Sequence, residues 1–109
     1  MDLTVEIYEV TKTWPSAERF SMIDQIRRAA VSIPANIAEG QGRSGPREFL
    51  HHCSIANGSL NEVETFLLLA HRLAYIDEAA LNAVMLQSNE VGRMLRGLIK
   101  RLRLASPSR

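Results

Sequence analysis

Arg93, Arg96, Lys100 and Arg103 stand at steps of 3, 4 and 3, the spacing that puts four cations on one face of a helix. Arg101 adds a fifth charge to the same run. Eleven of the thirteen bases in the chain are Arg, whose planar fork suits phosphate oxygens. Such a stripe can follow a nucleic-acid backbone without reading its bases. No aromatic residue is interleaved with these arginines, so the stacking platform of a single-strand binder is missing from this stretch. The same residues also fit a solvated face, with cations that complement the negative end of a helix. Residues 91–109 hold six bases and no acid, whereas residues 1–90 hold seven bases and twelve acids. A mildly acidic body therefore carries a basic C-terminal end.

A second polar row, Gln25, Arg28, Ser32, Asn36, Glu39 and Arg43, also keeps helical steps. Asn57, Asn61 and Glu64 form a similar row further on. One reading is a groove in which Arg28, Asn36, Glu39 and Glu64 bind a partner. The favoured reading is a structural network between helices or subunits that satisfies, among others, the carbonyl freed by Pro34. His51-His52-Cys53 has metal-ligand residue types, but helical neighbours point about 100° apart and cannot converge on one ion. Glu62 and Glu64 diverge for the same reason. Glycines at 40, 42 and 45 follow no strand and do not make a phosphate loop. Ser32 and Ser59 have no histidine placed beside them by any visible pattern. The residues imply no catalytic site, no metal and no cofactor.

These rows must be carried by helices. Leu3, Ile7, Val10 and Trp14 predict a short first helix that breaks at Trp14-Pro15-Ser16. Ile23, Ile26, Ala30, Ile33 and Ile37 stay in phase across Pro34, which predicts one kinked helix rather than two. The loop Gly42-Arg43-Ser44-Gly45-Pro46 ends it, and Pro46 opens the next helix with Glu48 in its first turn. There Phe49, Cys53, Ala56, Leu60, Val63, Leu67, Ala70 and Ala74 hold a seven-residue repeat. A second apolar set, Ile55, Phe66, Leu69 and Leu73, is wider than one core needs and suggests a further contact, such as one between subunits. Asp77 predicts the N-cap of a fourth helix, with Leu81, Met85, Ser88, Val91, Leu95, Leu98 and Leu102 on its stripe. The fold class is all-α: an antiparallel up-down-up-down four-helix bundle with a proline-kinked second helix, over residues 1–105, followed by a disordered tail at 106–109. A single cysteine, no membrane-length apolar run and no signal-like N-terminus point to the cytoplasm.

The stretch Gln25-Ile26-Arg27-Arg28-Ala29-Ala30-Val31-Ser32-Ile33-Pro34-Ala35-Asn36-Ile37-Ala38-Glu39-Gly40 is distinctive. Together with Gly42-Arg43-Ser44, Glu48-Phe49-Leu50, Gly58-Ser59-Leu60, Glu62, Glu64-Thr65 and residues 67–70, it resembles the four-helix-bundle family of 23S rRNA intervening-sequence proteins. The resemblance covers roughly residues 3–103. It implies a four-helix bundle and a ring-like homo-oligomer, a pentamer, with no enzymatic activity. The accessory variability proteins of diversity-generating retroelements are similar in architecture, and they are basic pentamers that bind nucleic acid and a reverse transcriptase. The resulting expectation is a non-enzymatic oligomer that contacts RNA, DNA or a ribonucleoprotein through Arg93, Arg96, Lys100, Arg101 and Arg103. The rival expectation is a protein-interaction scaffold with no nucleic-acid role.

Overall fold

Four helices make up the chain in its structure, a computed structural model that describes residues 1–43 and 45–106. They are α1 (Asp2–Thr11), α2 (Asp24–Gln41), α3 (Pro46–Arg72) and α4 (Glu78–Ala105). Ser44 of the expected α2–α3 loop and residues 107–109 of the expected tail lie outside the described residues. Cross-helix contacts establish the antiparallel order. Thr4 and Arg27 tie α1 to α2 through Ala30 and Thr11. Ser59 and His52 of α3 meet Ser32 and Asn36 of α2, and Ser88 and Gly92 of α4 meet Glu64 and Leu60 of α3. In every case, advancing along one helix means retreating along its neighbour, as in an up-down-up-down bundle.

α1 ends three residues before the expected break. The amides of Thr13 and Trp14 bond three residues back, to Val10 and Thr11, so the last turn tightens before Pro15 stops it. Trp14 is nonetheless buried, as its place in the stripe requires. The segment before α2 is a 3₁₀ turn (Ser16–Glu18) followed by a π turn (Arg19–Ile23). It delivers Met22 and Ile23 to the core.

α2 passes through Pro34 unbroken. Proline lacks the N–H that would bond the carbonyl four residues back, which here belongs to Ala30. The Thr4 hydroxyl of α1 donates to that carbonyl at 3.0 Å. The residue that compensates for the proline thus comes from another helix and not from the polar row on α2 itself.

Gly40 lets α2 and α3 approach closely. A Cβ there would lie 2.8 Å from Phe49 Cδ1 and 2.9 Å from His52 Cβ. On α3, Cys53, Ala56, Leu60, Val63, Leu67 and Ala70 are buried. Ala74 is not, because α3 stops at Arg72 and Ala74 takes a left-handed conformation with φ 63°. The Tyr75 amide then bonds back to the Ala70 carbonyl at 2.8 Å and closes the helix end. Asp77 caps α4 by accepting from the Ala80 amide at 2.8 Å.

α1 has 10 residues and α4 has 28. At about 1.5 Å per residue, α1 covers only about a third of its neighbour's length. Leu3, near its start, lies beside Gln87, Val91 and Met94 of α4, so the last three turns of α4 run on past α1. No helix among the described residues is long and apolar enough to cross a membrane.

Candidate nucleic-acid interface

α4 turns Leu81, Val84, Ser88, Gly92, Leu95 and Ile99 inward. That phase leaves Arg93, Arg96, Lys100 and Arg103 exposed together on one flank, within about 80° of one another around the helix. Arg101 is also exposed, but it lies about 100° beyond Lys100 and away from the flank. Its guanidinium comes 3.6 Å from where a Cβ on Gly97 would be. Arg96 lies back over Gly92 in the same manner, with Nη1 2.9 Å from the corresponding Cβ position. Small residues four positions back therefore let both guanidinium groups lie against the helix. The ion pairs among the described residues are Lys12–Glu9, Arg28–Asp24 and Arg43–Glu39, each between residues three or four apart in the chain. All five α4 cations are thus left without a carboxylate partner among the described residues.

The flank has a neighbour that the sequence assigned elsewhere. Glu64 of α3 accepts from the buried Ser88 hydroxyl of α4, and Leu60 approaches Gly92. These two contacts set the α3–α4 register. Asn57 and Asn61 share the flank of Glu64 at helical steps, so they stand on the α4 side of α3, level with Arg96 and Arg93. A row of neutral amide donors and acceptors thus borders the basic stripe.

The four residues of the proposed polar groove are not brought together. Arg28 pairs with Asp24 at 3.2 Å, and Glu39 pairs with Arg43 at 2.6 Å. Glu64 faces α4 on the other side of α3. Asn36 alone belongs to a network between α2 and α3. Its Nδ2 donates to the Ser32 carbonyl and hydroxyl oxygen, both at 2.9 Å, and the Ser59 hydroxyl also donates to Ser32 Oγ at 2.9 Å. The Asn36 amide oxygen can only accept, so His52 Nδ1, at 3.0 Å, carries the proton between them. His52 is therefore turned to Asn36, Ser32 accepts from two donors, and the row is a seam between helices. Above it an open cleft of about 450 Å³ is lined by Asp24, Gln25, Arg28, Ser32, Ser59 and Glu62. Of the four groove residues, only Arg28 reaches it.

The His51 and His52 rings meet edge to face at 5.4 Å, but Cys53 points away from both. His51 is exposed, His52 faces α2 and Cys53 is in the core, where burial pushes its thiol pKa up. Among the described residues, no group of three His, Cys, Asp or Glu side chains could hold a metal ion. Of the second apolar set, Phe66 packs against the core and the other three stay outside it. Ile55, Leu69 and Leu73 are 40%, 45% and 52% exposed, and Phe66 is half-buried.

Comparison with known proteins agrees with this architecture. A crystal structure of a protein of unknown function from the S23 ribosomal protein family of Bacteroides thetaiotaomicron VPI-5482 superposes with a TM-score of 0.84 at 30% identity. The alignment covers 91% of this chain and 93% of that one. No curated protein matches the sequence. The model of the 23S rRNA-intervening sequence protein family matches residues 1–97. The chain therefore belongs to the 23S rRNA-intervening sequence protein family.

Proposed function

We infer that the protein is a non-enzymatic, cytoplasmic homo-oligomer that binds RNA through the basic flank of α4. The observation that carries this reading is the stripe Arg93, Arg96, Lys100 and Arg103, which has no carboxylate partner among the described residues and runs on past the start of α1. The family name, with its reference to 23S rRNA, makes a structured RNA the first probe. Repeating the stripe in a ring, a pentamer by family resemblance, multiplies a weak contact.

The test is a gel-shift titration with structured RNA over a range of salt. Four phosphate contacts per subunit give a log–log salt slope of about −3, from 0.7 to 0.9 per phosphate. The Arg93/Arg96/Lys100/Arg103→Ala variant should lose the retarded band. Arg101→Ala, off the flank, should bind nearly as wild type does. Equal binding by wild type and the four-site variant would rule out this surface.

A second reading, a scaffold that binds protein, is favoured by the exposed Ile55 and Leu69 of α3 and Leu73 just beyond it. Recovery of one protein partner after nuclease treatment, with no RNA retardation, would select it. Light scattering measures the oligomer, which both readings share.

A further inference from the structure

At the opposite end of the bundle from Arg103, a cavity of about 120 Å³ sits between the end of α1 and the start of α2. One water needs only ~10–15 Å³ on the same measure, so the space admits a small polyatomic ion. Its lining includes Thr11, Lys12, Trp14, Ser16, Arg19 and Arg27, and no carboxylate lines it among the described residues.

Two features of this lining point to a ligand. The first is Trp14, 4% exposed, whose indole N–H is buried without an acceptor among the described residues. An indole N–H can only donate, and burying one unpaired is costly. The second is the charge. Lys12, Arg19 and Arg27 all line a space with no counter-charge in its wall among the described residues. Lys12 is partly answered by Glu9 at 3.0 Å. Arg27 is held in place: its Nε donates to Thr11 Oγ1 at 2.8 Å, its Nη2 to the Tyr8 carbonyl at 3.3 Å, and its guanidinium lies 4.7 Å over the Tyr8 ring. Only two of its five N–H donors are used in this way. Arg19 has no ion-pair partner among the described residues. The spare donors of Arg27, a second guanidinium and an ammonium thus line a space whose wall holds no carboxylate among the described residues.

We propose that this cavity is a binding site for a phosphate-type oxyanion. A tetrahedral oxyanion supplies acceptors in several directions, charge to offset the three cations, and a size that fits the volume. The site is independent of the α4 flank and does not rest on the RNA reading.

Trp14 is the sole tryptophan, so it reports on the site directly. The experiment titrates the ¹⁵N-labelled full chain with orthophosphate, sulfate, chloride and dimethyl phosphate at constant ionic strength, following the indole N–H resonance and the fluorescence. Orthophosphate and sulfate should give a saturable shift, and chloride none. Dimethyl phosphate separates the sources: a saturable shift identifies a nucleic-acid diester as a second form of the ligand, and no shift confines it to free or terminal phosphate, with the site supported either way. Arg19→Ala should weaken orthophosphate at least about tenfold, since it removes charge-assisted hydrogen bonds. Calorimetry should show a weakening in Trp14→Phe, which keeps the ring and loses the donor. The Arg93/Arg96/Lys100/Arg103→Ala variant should leave the indole response unchanged. An indole signal that moves with none of these ions, or equally with chloride, overturns the proposal, and so does undiminished affinity in Arg19→Ala.

Discussion

Thr4→Val should destabilise the bundle, and the cost should depend on Pro34. Ala30 is fully buried, and its carbonyl has no helical donor because residue 34 is proline. Thr4 Oγ1 supplies the missing donor at 3.0 Å. Valine keeps the shape of threonine but leaves the carbonyl unsatisfied, a loss of about 1–3 kcal/mol for a buried acceptor. The bond is only partly buried, so the lower half of that range, about 1–2 kcal/mol, is expected. Urea denaturation at fixed protein concentration should show it as a lower midpoint at unchanged slope. The decisive measurement is a double-mutant cycle. In Pro34→Ala the amide of residue 34 returns and can donate to Ala30 itself, so Thr4→Val should then cost only a few tenths of a kcal/mol. Thr4→Ser, which keeps the hydroxyl, should cost less than Thr4→Val in the proline background. An equal cost for Thr4→Val with and without Pro34 would refute the assignment of Thr4 as the proline's compensating donor.

Gly40→Ala should destabilise by about 1–2 kcal/mol, because the new Cβ meets Phe49 and His52 near their own backbones and the clash outweighs the helix propensity gained. Gly97→Ala, where the nearest atom is the flexible Arg101 tip at 3.6 Å, should instead stabilise by up to about 1 kcal/mol. Thermal melts of both settle it, and a shift of the same sign in each would remove close helix approach as the reason for Gly40. Ala74→Gly should raise the melting midpoint, by about 0.5–1 kcal/mol equivalent, since glycine bears the left-handed φ of 63° without strain. No gain in the melt would mean that this turn carries no strain. Ser88→Ala should cost about 1–2 kcal/mol in urea titrations, because Glu64 loses a charge-assisted donor from a buried position. A neutral result would show that water replaces the hydroxyl.

The helices and their inward faces were readable from sequence because each helix buries one stripe at a 3.6-residue period. Cys53 through Ala70 keep that phase in the structure, and so do Leu81, Ser88 and Leu95 of α4, whereas Val84, Gly92 and Ile99 are buried there and Met85, Val91 and Leu98 only partly so. The flanks were harder. A heptad stripe has two sides that look alike in sequence, and only the chirality of the bundle decides which neighbour each side meets. The groove reading sets Glu64 beside the α2 row for this reason, whereas Glu64 bonds to Ser88 of α4. Pairings distant in the chain left no local trace either: nothing near Thr4 announces a carbonyl 26 residues away. The turns at 16–23 carry Pro15 as a stop signal but nothing that specifies a 3₁₀ or a π geometry.

The basic stripe was legible because all its members sit on one helix, whereas the cavity beside Trp14 was not. Its cations come from positions 12, 19 and 27, on three different segments, and no period links them. Only folding shows that they line one cavity with Trp14. The cavity lies level with the start of α4, where Trp14 and Glu18 meet Tyr75, so at 1.5 Å per residue the stripe runs from about 20 Å away at Arg93 to about 40 Å away at Arg103. Even the nearer distance is more than twice the screening length of ~8 Å at physiological salt, so charge removed at one site is scarcely felt at the other. An anion at the α1–α2 corner and RNA along α4 should therefore bind independently in a single subunit. Competition between them would require that neighbouring subunits bring the start of one α2 close to the end of another α4, so a phosphate-sensitive RNA gel shift that survives correction for ionic strength would report the arrangement of the oligomer.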